Sequence, residues 1–312
     1  MFSNVVEVTR SDIEAAAGRI APHVRRTSVL RLGNALSSDY ELSLKLEHTQ
    51  VTGSFKPRGA FSLLTASEVG DEGVVAASGG NFGIATAYAA QRLGYTATIF
   101  VPSTSPLEKI DRIARYGADV RLVDGYYDEA LAAAQEFRDE TGAFEAHAYD
   151  QALVMAGQGT IGREMAEQLD DFDAVVVAVG GGGLIGGIAS WFRDDLVVVA
   201  AEPEGCNSLN ASLSAGHQVE VEVGGVASSS LGARSIGDHP WLARRWIDFS
   251  VLVTDNDIVA AQSWLWDETK LALEPAAATT VAALRAGVFE PSPGTHVVVV
   301  LSGANMAPSS II

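Results

Sequence analysis

The run Thr52-Gly53-Ser54-Phe55-Lys56-Pro57-Arg58-Gly59 contains the most informative residue of this chain, Lys56. Lysine occurs four times in 312 residues, at positions 45, 56, 109 and 270, whereas arginine occurs seventeen times. Most cationic side chains of this chain are therefore arginines, yet a loop of small and hydroxyl-bearing residues contains a lysine. An amine can lose its proton and attack a carbonyl, which a guanidinium cannot do. The loop therefore indicates a nucleophilic lysine, against the ordinary alternative of a solvated lysine near a helix start.

Strands and helices alternate outward from this loop. A strand over Leu42–Glu47 ends just before it, and a helix follows to about Ser67. Further strands are predicted over Val74–Ala77, Thr96–Val101, Asp119–Val123, Ala174–Val179, Leu196–Ala201 and Val297–Leu301, and helices over Asn81–Leu93, Leu107–Tyr116, Asp128–Glu140, Gly159–Leu169, Leu184–Phe192, Ile258–Leu271 and Pro275–Arg285. Ser11-Asp12-Ile13-Glu14 predicts a capping box for a helix ending near Ile20, and Gly224–Gly237 predicts a loop. Two such alternating units predict an α/β protein with two doubly wound parallel-sheet lobes and a cleft between them.

Composition excludes several classes of protein. The formal charge of −18 argues against nucleic-acid binding, which needs a basic surface. The single cysteine, Cys206, permits no intrachain disulfide, and the N-terminus has no signal pattern, so a reducing cytoplasm fits. The uncharged stretch 174–192 contains six glycines, which favours a buried strand, a loop and a helix over a membrane span.

Gly180-Gly181-Gly182-Gly183 lies between a predicted strand and a predicted helix. Successive glycines let backbone N–H groups turn inward, and the helix N-terminus adds its dipole, so this loop predicts a phosphate site. The dinucleotide pattern Gly181-x-Gly183-x-x-Gly186 is also present, with Glu202 in the place of a ribose-binding acid. An NAD-binding oxidoreductase is therefore an alternative, although it leaves the Lys56 loop unexplained.

Two more loops follow predicted strands. Ser78-Gly79-Gly80-Asn81-Phe82-Gly83 opens a helix and is suited to a carboxylate, and Ser302 follows the last strand, where open α/β sheets bind ligands. An amine, a phosphate site and a hydroxyl match the aldehyde, the phosphate and the ring nitrogen of pyridoxal phosphate. The carboxylate site then suits an amino-acid substrate.

With these motifs the chain resembles the serine/threonine dehydratase and serine racemase family of pyridoxal-phosphate enzymes, which have fold type II (tryptophan-synthase-β-like). The resemblance runs from Ser11 to Asn305 without large gaps. It is carried by TGSFKPRGA (52–60), SGGNFG (78–83), AGQGT (156–160), GGGGLIGG (180–187), AEPEG (201–205), EP (274–275) and SGAN (302–305). It implies a large domain of residues 1–68 and 147–312, a small domain of 69–146, and a homodimer.

The resemblance also implies roles for individual residues. Lys56 would bond to the cofactor aldehyde and act as the catalytic base, with Phe55 beside the ring. Asn81 would bind the cofactor's 3′ oxygen, Ser302 the pyridine nitrogen and Gly180, Gly181, Gly182 and Gly183 the phosphate, with Glu274 near the pyridine edge. Ser78, Gly79, Asn81 and Phe82 would contact the substrate.

Three positions depart from the family pattern. Gly79 replaces the serine that serves a racemase as second acid/base, which favours elimination over racemisation. Phe82 replaces a histidine common in the family. The family's divalent-cation site would fall on Glu202, Cys206 and Ser208, where a serine in place of a carboxylate predicts a weak or absent site.

The resemblance therefore implies a dehydratase that converts L-threonine or L-serine to a 2-oxo acid and ammonia. The alternatives within the family are a racemase, a β-replacement synthase, and a dehydratase of hydroxyaspartate or phenylserine. The alternatives outside the family are an NAD-binding oxidoreductase and a non-catalytic amino-acid-binding protein. Because the chain ends soon after Asn305, we expect no appended regulatory domain.

Overall fold

The computed structural model describes residues 5–125 and 127–306. The strands in these ranges are β1 Val29–Gly33, β2 Glu41–Lys45, β3 Val74–Ala77, β4 Ala97–Pro102, β5 Asp119–Val123, β6 Phe144–Glu145, β7 Ala174–Ala178, β8 Val197–Pro203, β9 Phe249–Val253 and β10 His296–Val300. The helices are α1 Arg10–Ile20, α2 Pro57–Leu64, α3 Asn81–Leu93, α4 Leu107–Arg115, α5 Tyr127–Thr141, α6 Ala152–Gln168, α7 Gly183–Phe192, α8 Ser208–Ala215, α9 Ser228–Leu231, α10 Asp238–Ala243, α11 Asp255–Thr269 and α12 Pro275–Arg285. None of these helices is long and apolar enough to cross a membrane.

The strands form two sheets. The larger has the order β1-β2-β10-β7-β8-β9, with β1 antiparallel to β2 and all other pairs parallel. The smaller has the order β5-β4-β3-β6 and is entirely parallel. The two predicted parallel-sheet lobes are thus confirmed. All strands of the smaller sheet lie between residues 74 and 145, which supports the proposed domain limits.

In the centre of the larger sheet, β7 is apolar at every position, and β8 and β10 are apolar except at Glu202 and His296, because helices cover both faces. In β7, Val175 and Val177 pack in the same core as α6 and α7, whereas Val176 packs on the opposite face with α12. The same alternation holds in β8 and β10. Loops at the carboxyl ends of these strands are therefore held by a sheet that is buried on both sides.

Some local predictions were wrong. The capping box of α1 is formed by Thr9 and Asp12, not by Ser11 and Glu14. The Thr9 hydroxyl accepts from the N–H of Asp12, and the Asp12 carboxylate accepts from the N–H of Thr9. The two pairs have the same sequence spacing and overlap, so the pattern alone does not separate them. The predicted loop at 224–237 contains the short helix α9. Helix α6 begins at Ala152, seven residues before its predicted start at Gly159.

Candidate active site

Lys56 lies immediately before α2, which Pro57 opens as its first residue. Its amine donates a hydrogen bond to the carbonyl oxygen of Ala148 at 2.9 Å. The rings of Phe55 and Phe82 have their centroids 5.0 and 5.6 Å from the same nitrogen. Burial lowers the pKa of Lys56 to about 8. A substantial fraction of the amine is therefore neutral near physiological pH, as a nucleophile or base requires.

The Lys56 loop is fastened to the segment after β10. The N–H of Phe55 donates to the carbonyl oxygen of Ser302 at 3.1 Å, and that of Ala304 donates to the carbonyl of Gly53 at 2.9 Å. An isolated bridge also joins Ser54 to Gly303. These contacts hold the Ser302 segment beside the Lys56 loop.

A buried ionic network supports the loop from the other side. The guanidinium of Arg58, which is 0 % exposed, donates to Glu47 and to Glu164, each at 2.8 Å. Glu164 also accepts from Lys45 at 2.7 Å. Arg58 follows Lys56 by two residues, so this network fixes the backbone that carries the amine. Arg58 lies within the Lys56 motif, but no local sequence pattern predicts this role, because its partners lie outside the motif.

The glycine loop between β7 and α7 has no room for side chains. Gly182 has φ +90°, and a Cβ at this position would lie 2.7 Å from Pro240 Cβ. A Cβ on Gly181 would lie 2.4 Å from the ring of Tyr149. The N–H groups of Gly180, Gly181 and Gly182 donate to no residue within 5–125 and 127–306. Free donors at the start of a helix are suited to a phosphate.

Asn81 and Glu274 meet across the cleft. The Nδ2 of Asn81 donates to Glu274 Oε2 at 2.8 Å, and its Oδ1 accepts from Asn305 Nδ2 at 2.7 Å. A Cβ on Gly303 would lie 2.4 Å from Glu274 Oε2, so Glu274 packs directly against the residue after Ser302. The structure thus brings together Lys56, the Ser302 segment, Asn81 and Glu274.

These residues fit pyridoxal phosphate. The amine of Lys56 suits an aldehyde, the glycine loop suits a phosphate, and the Ser302 hydroxyl has no partner among the described residues. The buried hydroxyl of Ser54, next to Gly303, also has no partner there. A model of the family described as "Pyridoxal-phosphate dependent enzyme" matches residues 20–303. The chain belongs to this family.

Known members of this pyridoxal-phosphate family resemble the chain over nearly its whole length. It is 36 % identical to an L-threonine ammonia-lyase of Thermotoga maritima over 96 % of this chain and 76 % of the relative. It is 34 % identical to a phenylserine dehydratase of Ralstonia pickettii over 95 % and 94 %. The solved structure of maize serine racemase has a TM-score of 0.92 and 30 % identity, and covers 98 % of this chain and 96 % of its own. The predicted fold type II is confirmed, pyridoxal phosphate is the cofactor, and the ammonia-lyase relatives indicate a lyase.

Ser105 fills the space beside Gly79. A Cβ on Gly79 would lie 1.8 Å from Ser105 Oγ and 2.6 Å from Ser105 Cβ. The loop between β4 and α4 therefore places a hydroxyl next to the predicted substrate residues Ser78 and Gly79. No local sequence motif marks Ser105, so its place beside Gly79 could not be predicted from the sequence.

The residues of the predicted cation site make other contacts. Both carboxylate oxygens of Glu202 accept N–H groups, from Leu209 at 2.9 Å and from Asn210 at 2.7 Å. The hydroxyl of Ser208 donates to the carbonyl of Gly180 at 3.0 Å, and the thiol of Cys206 is 3.2 Å from the carbonyl oxygen of Gly224. Burial raises the pKa of Glu202 to about 8 against the effect of its two hydrogen bonds. A divalent cation at these residues stays a prediction on which no step depends.

Proposed function

We propose that the chain is a dehydratase that converts L-threonine, L-serine or a related β-hydroxy amino acid to a 2-oxo acid and ammonia. The observation that carries the proposal is the amine of Lys56, partly neutral and held between the glycine loop and the Asn81–Ser302 side of the cleft. Pyridoxal phosphate, when bound, draws electron density from the α-carbon of an attached amino acid. The similarity to threonine ammonia-lyase and phenylserine dehydratase supports the same class of reaction.

We assign the protein's own groups the following tasks. Lys56 Nζ takes the α-proton of the substrate, because its lowered pKa leaves it able to accept a proton at neutral pH. The loop Ser78–Asn81, at the N-terminus of α3, binds the substrate carboxylate through backbone N–H groups. Ser302 offers the cofactor ring a hydroxyl and not a carboxylate, which favours prompt departure of the β-hydroxyl. The β-hydroxyl leaves with one proton as water. Hydrolysis of the released enamine then breaks its bond to nitrogen, so the products are a 2-oxo acid and ammonia.

Phenylserine is an alternative substrate to threonine and serine, because the chain is 34 % identical to a phenylserine dehydratase over nearly its whole length.

Racemisation is the second candidate activity, and the position of Ser105 favours it. A racemase needs a proton donor on the face of the substrate that the lysine does not serve. The Ser105 hydroxyl lies 1.8 Å from the position that a Cβ on Gly79 would occupy. Because Gly79 itself lacks a side chain, we expect elimination to dominate; racemisation would depend on Ser105.

We also propose that the enzyme is a cytoplasmic homodimer. The single cysteine, which is buried and free, supports a reducing compartment. The ground for the dimer is the resemblance to the serine/threonine dehydratase and serine racemase family, which implies a homodimer. Sedimentation of the purified protein at several concentrations would test the oligomeric state.

The test is a panel of L-threonine, L-serine, phenylserine and 3-hydroxyaspartate given to the purified holoenzyme. Detection of 2-oxo acids and of ammonia reports elimination, and chiral chromatography of the remaining amino acid reports racemisation. We expect one ammonia per 2-oxo acid. Inverted amino acid without 2-oxo acid would refute the dehydratase proposal and support the racemase.

A further inference from the structure

Helix α4 of the smaller lobe carries two cations that reach into the site. Lys109 and Arg112 lie one turn apart on this helix, and their side chains therefore project to the same side. The amine of Lys109, which is 4 % exposed, lies 2.9 Å from Glu274 Oε1. Arg112 donates to Asn305 Oδ1, and to the carbonyl of Thr52 at 3.0 Å.

These contacts close a ring through Asn81. Asn81 Nδ2 donates to Glu274, and Asn81 Oδ1 accepts from Asn305. The ring therefore runs Lys109–Glu274–Asn81–Asn305–Arg112 and returns to its start along α4. We call these five residues the α4 ring. Asn81, Glu274 and Asn305 are all less than 9 % exposed, so water does not compete effectively for their hydrogen bonds.

The ring fixes the orientation of the Asn81 amide. Its oxygen faces a donor, Asn305 Nδ2, and its nitrogen faces an acceptor, Glu274 Oε2. Rotating the amide by 180° would set two NH2 groups against each other and its oxygen against a carboxylate. Because an amide nitrogen has two hydrogens, one remains free to face the cofactor. Lys109 also compensates the buried charge of Glu274, which would otherwise be costly beside the site.

We propose that Lys109 and Arg112 are positioning residues, which hold Asn81 in the orientation that binds pyridoxal phosphate. The side chains that set this orientation come from α4 in the smaller lobe, whereas Glu274 and Asn305 come from the larger one. Docking of α4 and tight binding of the cofactor are therefore coupled. This inference rests on the use of pyridoxal phosphate and not on which reaction is catalysed.

The test measures pyridoxal phosphate binding to the apoprotein of Lys109→Gln and Arg112→Gln, by absorbance titration. Arg115→Gln is the matched control, since Arg115 is an exposed arginine on the same helix. We expect roughly 10-fold or greater weakening in Lys109→Gln and Arg112→Gln, as when a partner that orients a ligating side chain is removed, and no change in the control. Lys109→Arg, which keeps the charge, should recover part of the affinity. Equal affinity in Lys109→Gln and Arg115→Gln would overturn the proposal.

A double-mutant cycle separates positioning from general support of the fold. In an Asn81→Ala background, Lys109→Gln should have little further effect on cofactor affinity, because the lysine acts through Asn81. A loss that persists undiminished in that background would contradict the ring. Urea unfolding of each apoprotein shows that it is folded. If Lys109→Gln does not fold, the same cycle with Arg112→Gln, whose side chain is only half-buried, decides the question.

Discussion

The Ser105 side chain fills the space that a side chain at Gly79 would need, so we predict that substitutions at these two positions have coupled effects on stability. A Cβ on Gly79 would lie 2.6 Å from Ser105 Cβ and 3.1 Å from Val101 Cγ1. Rotation of the Ser105 side chain moves its hydroxyl but not its Cβ, so the backbone of the β4–α4 loop has to shift. Overpacking of this kind costs about 1–3 kcal/mol. We therefore expect Gly79→Ala to lower the free energy of unfolding by that amount.

Urea denaturation of four proteins measures the effect: the wild type, Gly79→Ala, Ser105→Gly and the double variant. Ser105→Gly removes both clashing atoms, so the double variant should recover about 1–2 kcal/mol relative to the sum of the single changes. Ser105→Ala is the matched control, because it removes the hydroxyl and keeps the clashing Cβ. Additive effects of Gly79→Ala and Ser105→Gly would refute the shared volume.

The same pair determines how a racemase-like serine can be introduced. Gly79→Ser alone meets Ser105 and should displace the loop, so we expect loss of activity without a gain in racemisation. Gly79→Ser combined with Ser105→Gly has room for the new hydroxyl and should raise the ratio of D-serine to pyruvate formed from L-serine. An unchanged ratio in the combined variant would show that Gly79 does not select elimination.

Three further predictions concern ionisable groups. The rate at which an amine reagent labels Lys56 in the apoprotein, measured by mass spectrometry, should rise about fivefold from pH 7 to pH 8 and level off above pH 9, because the pKa of Lys56 is about 8. A rate that continues to rise to pH 10 would contradict this pKa. Arg58→Lys should lower the free energy of unfolding by about 3–5 kcal/mol, since a lysine cannot pair with two carboxylates in fork geometry, while the exposed Arg115→Lys should change it little. The raised pKa of Glu202, about 8, means that its contribution to stability is present below pH 4.5 and lost as pH rises to 8. Glutamine does not ionise, so the free energy of unfolding of Glu202→Gln minus that of wild type should rise between pH 5 and 8, by up to a few kcal/mol. Urea unfolding at several pH values measures this difference.

The parts of the structure that follow from local chemistry were predictable from the sequence. Pro275 fixes the start of α12, and the apolar run 174–178 identifies β7 as a strand buried on both faces. The edge strands β1 and β9 were missed because each is mostly exposed or half-buried, so neither has a continuous apolar run. Their positions depend on pairing with β2 and β8, which no local pattern reports.

For the active site too, some residues could be predicted from local sequence and others could not. Lys56 and Gly180–Gly183 were found because their chemistry lies within single short loops. The contacts of Arg58, Ser105, Lys109 and Arg112 were not, since they depend on the tertiary fold; the bond from Arg112 to Asn305 spans 193 residues. For Lys109, its rarity as one of four lysines was the only available signal, and it did not indicate a partner.

The most direct test of the site is to find which lysine carries the cofactor. Borohydride reduction of the yellow holoenzyme fixes pyridoxal phosphate to the amine that holds it, and peptide mapping then locates the added mass. Two of the four lysines, Lys56 and Lys109, lie at this cleft. We predict that the label is on Lys56 alone and that Lys56→Ala yields neither label nor 2-oxo acid from L-threonine. A label on Lys109, or turnover by Lys56→Ala, would contradict the site as assigned.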